Sequence, residues 1–450
     1  MNTKILILLY QNVIDPQKPD ALVCFYESLI TELTAFGNDI KILNLKHCKS
    51  NFVDNELLGI TQDERERIYH TIKTFKPDAI LTFNNQITSE IIKNTNCPIC
   101  LIEADDFYTC VNKDLITKFQ ERYFVFSFHD GWMNDVYKQN GISAESITYL
   151  HPATSVKSAK IEKTINISFI GSNFAGFEAS LKQDFIKQPN FWRDFHNYIE
   201  EPYENNQFII NNFMKPFFYN FVDFRNDILA SVSDLGLKLY GFGWDKLGVE
   251  FARLKTRFDK TPKYSLAHNQ DIYNSSKVSL SISHPQCRGY AFPWRVYDIL
   301  ASNSILVTSY AKNLENLTAG FVKLPMYKSP YDARKLCQYA IDNPSYSDEI
   351  IAQSNEFIAR FGSWKDNIKQ IEEKIGVKLT KPKITSTNIH NISVTPKPVL
   401  AEIKRVDYSK MAFYSLVLAL GENSLFKKLI SSQSLQRYKD KLLKASQGNK

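Results

Sequence analysis

Three stretches of the sequence combine glycine, arginine and aromatic residues in a way suited to holding a phosphorylated ligand. Phe169-Ile170-Gly171-Ser172-Asn173 runs from an apolar stretch into a glycine turn. Gly171 lets the backbone approach a phosphate, Ser172 adds a hydroxyl, and a following helix offers free N–H groups. An ordinary tight turn is the other reading. Leu239-Tyr240-Gly241-Phe242-Gly243-Trp244 has two glycines in a similar setting. Gly241 and Gly243 permit close backbone approach, while Tyr240, Phe242 or Trp244 could stack on a base or equally pack inward. The densest stretch is Ser281–Ser309, with His284, Arg288, Gly289, Tyr290, Arg295, Tyr297 and Asp298. Arg288 and Arg295 bring planar forks of donors able to neutralise a pyrophosphate. Asp298, one helical turn beyond Arg295, could accept hydrogen bonds from a ribose diol, or simply pair with Arg295 on a helix surface. No Gly-x-Gly-x-x-Gly or Gly-Lys-Thr loop occurs, which weakens the common dinucleotide and Walker-type readings.

The seven cysteines are scattered and odd in number, a usage that suits a reducing cytosol. Cys97-Pro98-Ile99-Cys100 has half of a zinc spacing, but no second pair follows at finger distance and Cys100 lies in an apolar run. A structural role is expected for both, and no metal site.

Elements of a particular kind must position these residues. Short apolar runs alternate with amphipathic helical segments, the pattern of a parallel sheet flanked by helices. The first third predicts strands at Ile5–Leu9, Ile40–Leu43, Ala79–Thr82, Ile99–Ile102, Phe124–Phe128 and Ile147–Leu150, with helices such as Ala21–Phe36 and Gln62–Phe75 between them. After Tyr149-Leu150-His151-Pro152-Ala153, the Lys-rich stretch Ser155–Thr164 reads as an interdomain linker. A second series follows, with strands expected at Ile165–Ile170, Leu237–Tyr240, Val278–Ile282, Ile305–Thr308 and Phe321–Leu324. An aromatic helical insert, about 175–233, separates its first two strands; Phe213, Phe217 and Phe221 recur there at the spacing of a helix–helix core. Residues 1–154 and 164–376 are therefore expected to form two Rossmann-like, doubly wound α/β domains. Ligands of such sheets bind in the crevice outside the carboxyl ends of the strands, here a central cleft between the two halves. Residues 377–403, rich in Pro, Ser, Thr and Lys, read as a flexible connector.

In order, the pieces of the second half resemble the nucleotide-sugar domain of GT-B glycosyltransferases, particularly the CgeB-like branch of the group 1 superfamily. The matching pieces are Ser168-Phe169-Ile170-Gly171-Ser172, Arg225, Leu239 to Trp244, Asp271-Ile272-Tyr273-Asn274-Ser275-Ser276-Lys277 and Arg295-Val296-Tyr297-Asp298-Ile299-Leu300-Ala301-Ser302. The segment 149–153 resembles the end of that family's first domain. The resemblance implies a metal-independent transfer from a nucleotide-sugar donor held by the second domain to an acceptor held by the first, with no cofactor beyond the donor. It implies that Gly171 and Ser172 approach the phosphates, that Arg295 contacts them and that Asp298 holds the ribose. The family usually has Glu where this chain has Asp298. The acid of its Glu-x7-Glu pattern would fall at Tyr290, so a retaining mechanism does not carry over.

Catalytic candidates lie at strand ends of the first half. Asp105 and Asp106 follow Ile102 and could act as general base towards an acceptor hydroxyl, or form a helix N-cap and first-turn acid. His129 follows Phe128; the resemblance implies contact with the donor sugar, and a hydrogen-bonded structural histidine is the alternative. Two rival classes stand beside a transferase: a sugar-nucleotide epimerase, and a non-catalytic nucleotide-sugar-binding or membrane-associated assembly protein.

Charge separates the body from the tail. The formal excess is +7, and from Lys404 onward ten basic residues face only three acidic ones, so residues 404–450 hold all of it. A neutral body argues against nucleic acid as partner, because phosphate contacts need a cationic face on the domain itself. No stretch reaches the roughly 18–20 apolar residues of a membrane span, and Ile5–Tyr10 is too short for a signal peptide core. The sequence thus predicts a cytoplasmic protein. Ser424–Leu443 mixes leucines with lysines, which suits a helical tail lying on the anionic inner face of a membrane near a glycan or lipid-linked acceptor. Docking on its own body or in a homo-oligomer is the alternative. Surface polysaccharide synthesis is the expected setting.

Overall fold

The computed structural model of the chain describes residues 2–9, 11, 14, 15, 17, 18, 20–45, 49–51, 56–58, 62–83, 87–103, 118–128, 142–173, 224–261, 264–283, 287, 291–380 and 389–393. The candidates Asp105, Asp106, His129, His284 and Arg288, the insert up to residue 223 and the tail 404–450 lie outside these residues.

The first half is built from β1 (Lys4–Leu9), β2 (Asp39–Asn44), β5 (Ala79–Phe83), β6 (Ile99–Glu103), β7 (Tyr123–Ser127) and β8 (Ile147–Tyr149); β3 (Lys49–Asn51) and β4 (Glu56–Leu58) form a separate small antiparallel pair. The second half contains β9 (Ile165–Ile170), β10 (Leu237–Tyr240), β11 (Ser276–Ser281), β12 (Ile305–Ser309) and β13 (Met326–Tyr327). Nearly every strand anticipated from an apolar run is present. The last differs: Phe321, Val322 and Leu324 are not a strand but pack onto the core beneath it, and pairing begins only after Pro325.

A final strand, β14 (Ile389–Ser393), falls in the stretch that reads as a connector and pairs in parallel with β2. The main sheets are parallel throughout, in the orders β14-β2-β1-β5-β6-β7-β8 and β10-β9-β11-β12-β13.

Strand β1 shows why its sequence is nearly all apolar. Ile5, Ile7 and Leu9 face one core with the helix Cys24–Ala35, while Leu6 and Leu8 face another with Ile68 and Ile72 of the helix Gln62–Phe75. Successive side chains alternate between faces, so a sheet covered on both sides needs apolar residues at every position. The helix Trp364–Ile375, reached after the whole second half, returns to the first sheet. Its Trp364, Ile368, Ile371 and Ile375 join the same core as Ile5 and Ile7. Within the described residues the chain therefore crosses between the sheets twice, outward after Leu150 and back near Gly362. Thr154 N donates to Gly362 O at 3.1 Å, tying the two crossings together.

Candidate functional site

The order β10-β9-β11 places a reversal of winding beside β9, because β10 lies on one side of it and β11 on the other. At such a point the loops leaving the strand ends diverge and open a crevice. Two predicted stretches, the loops after β9 and β10, meet there.

They are laced by their backbones. Gly171 N donates to Tyr240 O at 3.0 Å, and Asn173 N donates to Phe242 O at 2.7 Å. Gly241 has φ +128 and Gly243 φ +82, and a Cβ on either would run into Gly171 O or Asn173 O. These glycines thus serve the approach of one loop to the other. Trp244, fully buried, donates its Nε1 hydrogen to Gly171 O at 2.9 Å. Tyr240 is buried as well.

Arginines gather at this edge. Arg225, in the helical residues 224–231, is 2% exposed and donates from Nη1 to Ser172 O at 2.6 Å. Burial, with Arg295 adding to it, pushes its guanidinium down to about 9. Arg295 opens the helix Arg295–Leu300 and donates from Nη1 to Ile282 O at 3.4 Å, just past β11. Both guanidinium carbons lie 5.7 Å from the Phe169 ring centroid, a cation–π distance. A Cβ on Gly171 would sit 3.5 Å from Arg295 Nη2. Two cations beside a small residue at the carboxyl edge of a parallel sheet make a place where an anionic group is favoured.

Tyr264 completes the edge. Its hydroxyl is 3.1 Å from Ser172 Oγ, its ring stacks on Phe242 with centroids 5.0 Å apart, and its carbonyl accepts from Cys24 N at 2.6 Å. No local signal in the sequence marks Tyr264, since its partners come from three distant segments. Tyr264 also lines a cleft of about 420 Å³, together with His268, Asp15, Lys18, Asp20 and Glu27.

Asp298 is placed differently from the phosphate candidates. It is 3% exposed; Oδ1 accepts from Thr154 Oγ1 at 2.6 Å, and the Cys24 thiol lies 3.5 Å from Oδ2. Burial pushes its carboxyl up to about 6, against the hydrogen bonds from Thr154 and Cys24 and the charge of Arg295. The Cys24 thiol is raised in turn, first by burial and then by Asp298. Asp298 thus holds the first crossing and the start of the Cys24–Ala35 helix to the helix that carries Arg295. Of the predicted residues, Gly171, Ser172, Gly241, Gly243 and Arg295 converge on one edge, Tyr240 supports it from the core, and Asp298 lies behind it.

Residues 225–373 match a protein family described as glycosyl transferase-like. That segment runs from Arg225 through Phe242, Arg295 and Asp298 to the returning helix. Comparison with curated proteins finds no match. Among solved structures, the chain is similar to Anabaena HepE in complex with UDP and glucose, at 10% identity and a TM-score of 0.49, over 83% of this chain and 100% of that one. It is likewise similar to sucrose-phosphate synthase from Thermosynechococcus elongatus, at 10% identity and TM-score 0.47, over 83% and 98% of the two chains. A third is a putative UDP-N-acetylglucosamine 2-epimerase from Listeria monocytogenes, at 10% identity and TM-score 0.46, over 86% and 100%.

Among the described residues, no group of His, Cys, Asp and Glu is arranged to hold a metal ion, and no helix is long and apolar enough to cross a membrane. Cys97 and Cys100 are both free thiols.

Proposed function

We propose that the chain is a glycosyltransferase that binds a nucleotide-sugar donor at the carboxyl edge of β9, β10 and β11 and passes the sugar to an acceptor on the side of the first sheet. One observation carries this reading: the glycosyl transferase-like segment 225–373 contains both guanidinium groups that flank Phe169 beside Gly171. In a direct displacement an acceptor hydroxyl oxygen bonds to the anomeric carbon as the bond from that carbon to the diphosphate breaks. The electron pair leaves with the diphosphate and the hydroxyl proton passes to a base. Arg295, with Arg225 behind Ser172, supplies fixed positive charge where the leaving group gains negative charge. Asp105 or Asp106 is the proposed base, and His129 the proposed contact to the donor sugar.

Because the arginines provide that charge, activity is expected to persist in EDTA. The acceptor is proposed to be a glycan or lipid-linked molecule of surface polysaccharide synthesis, with the basic tail 404–450 on an anionic membrane. Sedimentation with anionic liposomes, with and without residues 404–450, tests the tail; unchanged binding after its removal excludes it. The transfer is tested by incubating the protein with UDP-, GDP-, dTDP- and CMP-sugars and following nucleotide release. At least one donor is expected to be turned over, with Arg295→Ala slowing release about 100-fold or more, the scale of losing a preorganised charge. Binding without any turnover would favour a non-catalytic nucleotide-sugar-binding protein, and isomerised sugar without transfer an epimerase.

A further inference from the structure

The end of β10 and the loop after it offer three aromatic side chains, and the structure separates them. Tyr240 is 3% exposed and Trp244 0%, both spent in the core, whereas Phe242 is 40% exposed. Among the described residues one face of Phe242 is backed by an aromatic ring, that of Tyr264 at 5.0 Å and 21° from parallel. That backing is rigid: Tyr264 is held by Ser172 Oγ at its hydroxyl and by Cys24 N at its carbonyl. Phe242 itself is fixed through its carbonyl, which accepts from Asn173 N at 2.7 Å, between two glycines in left-handed conformations. The Phe242 ring is thus presented on a loop fixed by two glycines in left-handed conformations and backed by the half-buried Tyr264.

We infer that Phe242 is the stacking platform for the nucleobase of the donor. The inference rests on the nucleotide-sugar reading above and deepens it by assigning the base to one residue. Phe242 joins the anion-attracting edge through a short path: its ring stacks on Tyr264, Tyr264 bonds Ser172, and Ser172 adjoins Gly171 beside Arg295. A planar heterocycle and a diphosphate that belong to one molecule match this layout. Stacking on a flat ring tolerates any base, so the platform favours nucleoside diphosphates as a class over phosphorylated ligands without a base. A hexose face can also lie on an aromatic ring, and the test distinguishes it.

The test is calorimetric titration of the full chain with UDP, GDP, inorganic pyrophosphate and glucose, using wild type, Phe242→Ala, Phe242→Tyr and Arg295→Ala. Phe242→Ala is expected to weaken UDP and GDP by about 5- to 150-fold, the range measured for losing one base–aromatic stack, and to leave pyrophosphate unchanged. Phe242→Tyr, which keeps the ring, should bind nucleotides like wild type. Arg295→Ala should weaken pyrophosphate and nucleotides together. If Phe242→Ala leaves nucleotide affinity intact while Arg295→Ala lowers it, the platform assignment is overturned and the donor reading survives. Equal losses for pyrophosphate and nucleotide in Phe242→Ala overturn it too, since the ring then only shapes the loop. A loss confined to glucose assigns the ring to a sugar. If wild type binds neither UDP nor GDP, the donor reading falls and the platform with it.

Discussion

Trp294 and Trp364 stack with ring centroids 5.3 Å apart and planes 20° from parallel, though one immediately precedes the helix of Arg295 and the other opens the helix that returns to the first sheet. Trp294 also meets Phe25 edge-on at 4.1 Å and Phe128 at 4.5 Å. The residue before Arg295 is thus embedded in the aromatic core of the opposite half. Four residues after Trp294, Asp298 is held by Thr154 and Cys24. The helix carrying the proposed phosphate arginine is clamped from both sides by the first half of the chain, which couples the position of Arg295 to how the halves meet.

Replacing Trp294 with Ala should therefore do two things. It removes a large ring from an aromatic cluster, at a cost of about 3 kcal/mol, readable as a lower urea midpoint. It also frees the start of the Arg295 helix, so pyrophosphate binding should weaken even under conditions where the protein stays folded. Trp364→Phe makes the contrasting case. It keeps a ring in the stack and removes an indole N–H that has no hydrogen-bond partner among the described residues, so its cost should be about half as large or less. Equal destabilisation by both changes would show that the stack is not what anchors the helix.

The glycines after β10 make a second comparison. Gly241→Ala forces a Cβ into Gly171 O and the Tyr264 hydroxyl at φ +128, whereas Gly376→Ala meets nothing within 4 Å at φ +68. The open site should show only the left-handed backbone cost, about 1 kcal/mol. The crowded site should cost about 3 kcal/mol or more, because the two loops must separate. Thermal or urea unfolding of the two variants side by side measures the difference.

Much of this was legible in the sequence, and the reasons it stopped are physical. Parallel strands covered on both faces need unbroken apolar runs, so Ile5–Leu9, Ala79–Phe83 and Ile305–Ser309 announce themselves. The loop glycines could be picked out as points of close approach, but not what approaches: Gly241 and Gly243 meet another loop of the same chain. Phe321 to Leu324 has the apolarity of a strand and uses it for packing. Strand β14 is hidden because Ile389–Ser393 is short, sits among polar residues and pairs with β2, far away in sequence. The partners of Asp298, Thr154 and Cys24, are likewise remote in sequence. Local spacing marks Asp298 as an acid one turn beyond Arg295, but partners this far off in the chain leave no trace in it.

Cysteine reactivity offers a further check. Cys24, Cys100 and Cys337 are buried, and burial raises all three thiols. Cys97 is half-buried and pushed up to about 11, burial outweighing the nearby Arg122. Since the thiolate is the reactive species, iodoacetamide at pH 8 should leave Cys24, Cys100 and Cys337 unmodified in the native protein and label them once urea unfolds it. Peptide mapping by mass spectrometry reads each site. Rapid native labelling of Cys24 would mean that the contact with Asp298 opens readily.

The buried Asp298 also makes a prediction about pH. Its carboxyl is raised to about 6, chiefly by burial, from the ordinary unfolded value of about 3.9. Between those values the folded state binds more protons than the unfolded one, so this group makes stability fall as pH rises from about 4 to about 6. Above that window the penalty is complete, at about 3 kcal/mol on the full shift. Asp298→Asn keeps an oxygen to accept from Thr154 and carries no charge to desolvate. At pH 4 it should match wild type; at pH 8 it should be more stable, by up to about 3 kcal/mol. Urea titrations of both proteins at the two pH values isolate the effect, because every other titrating group is common to the pair. A variant less stable than wild type at pH 8 would mean that the ionised carboxylate is needed to hold Thr154 and Cys24 together, and that its attraction to Arg295 outweighs the cost of burial.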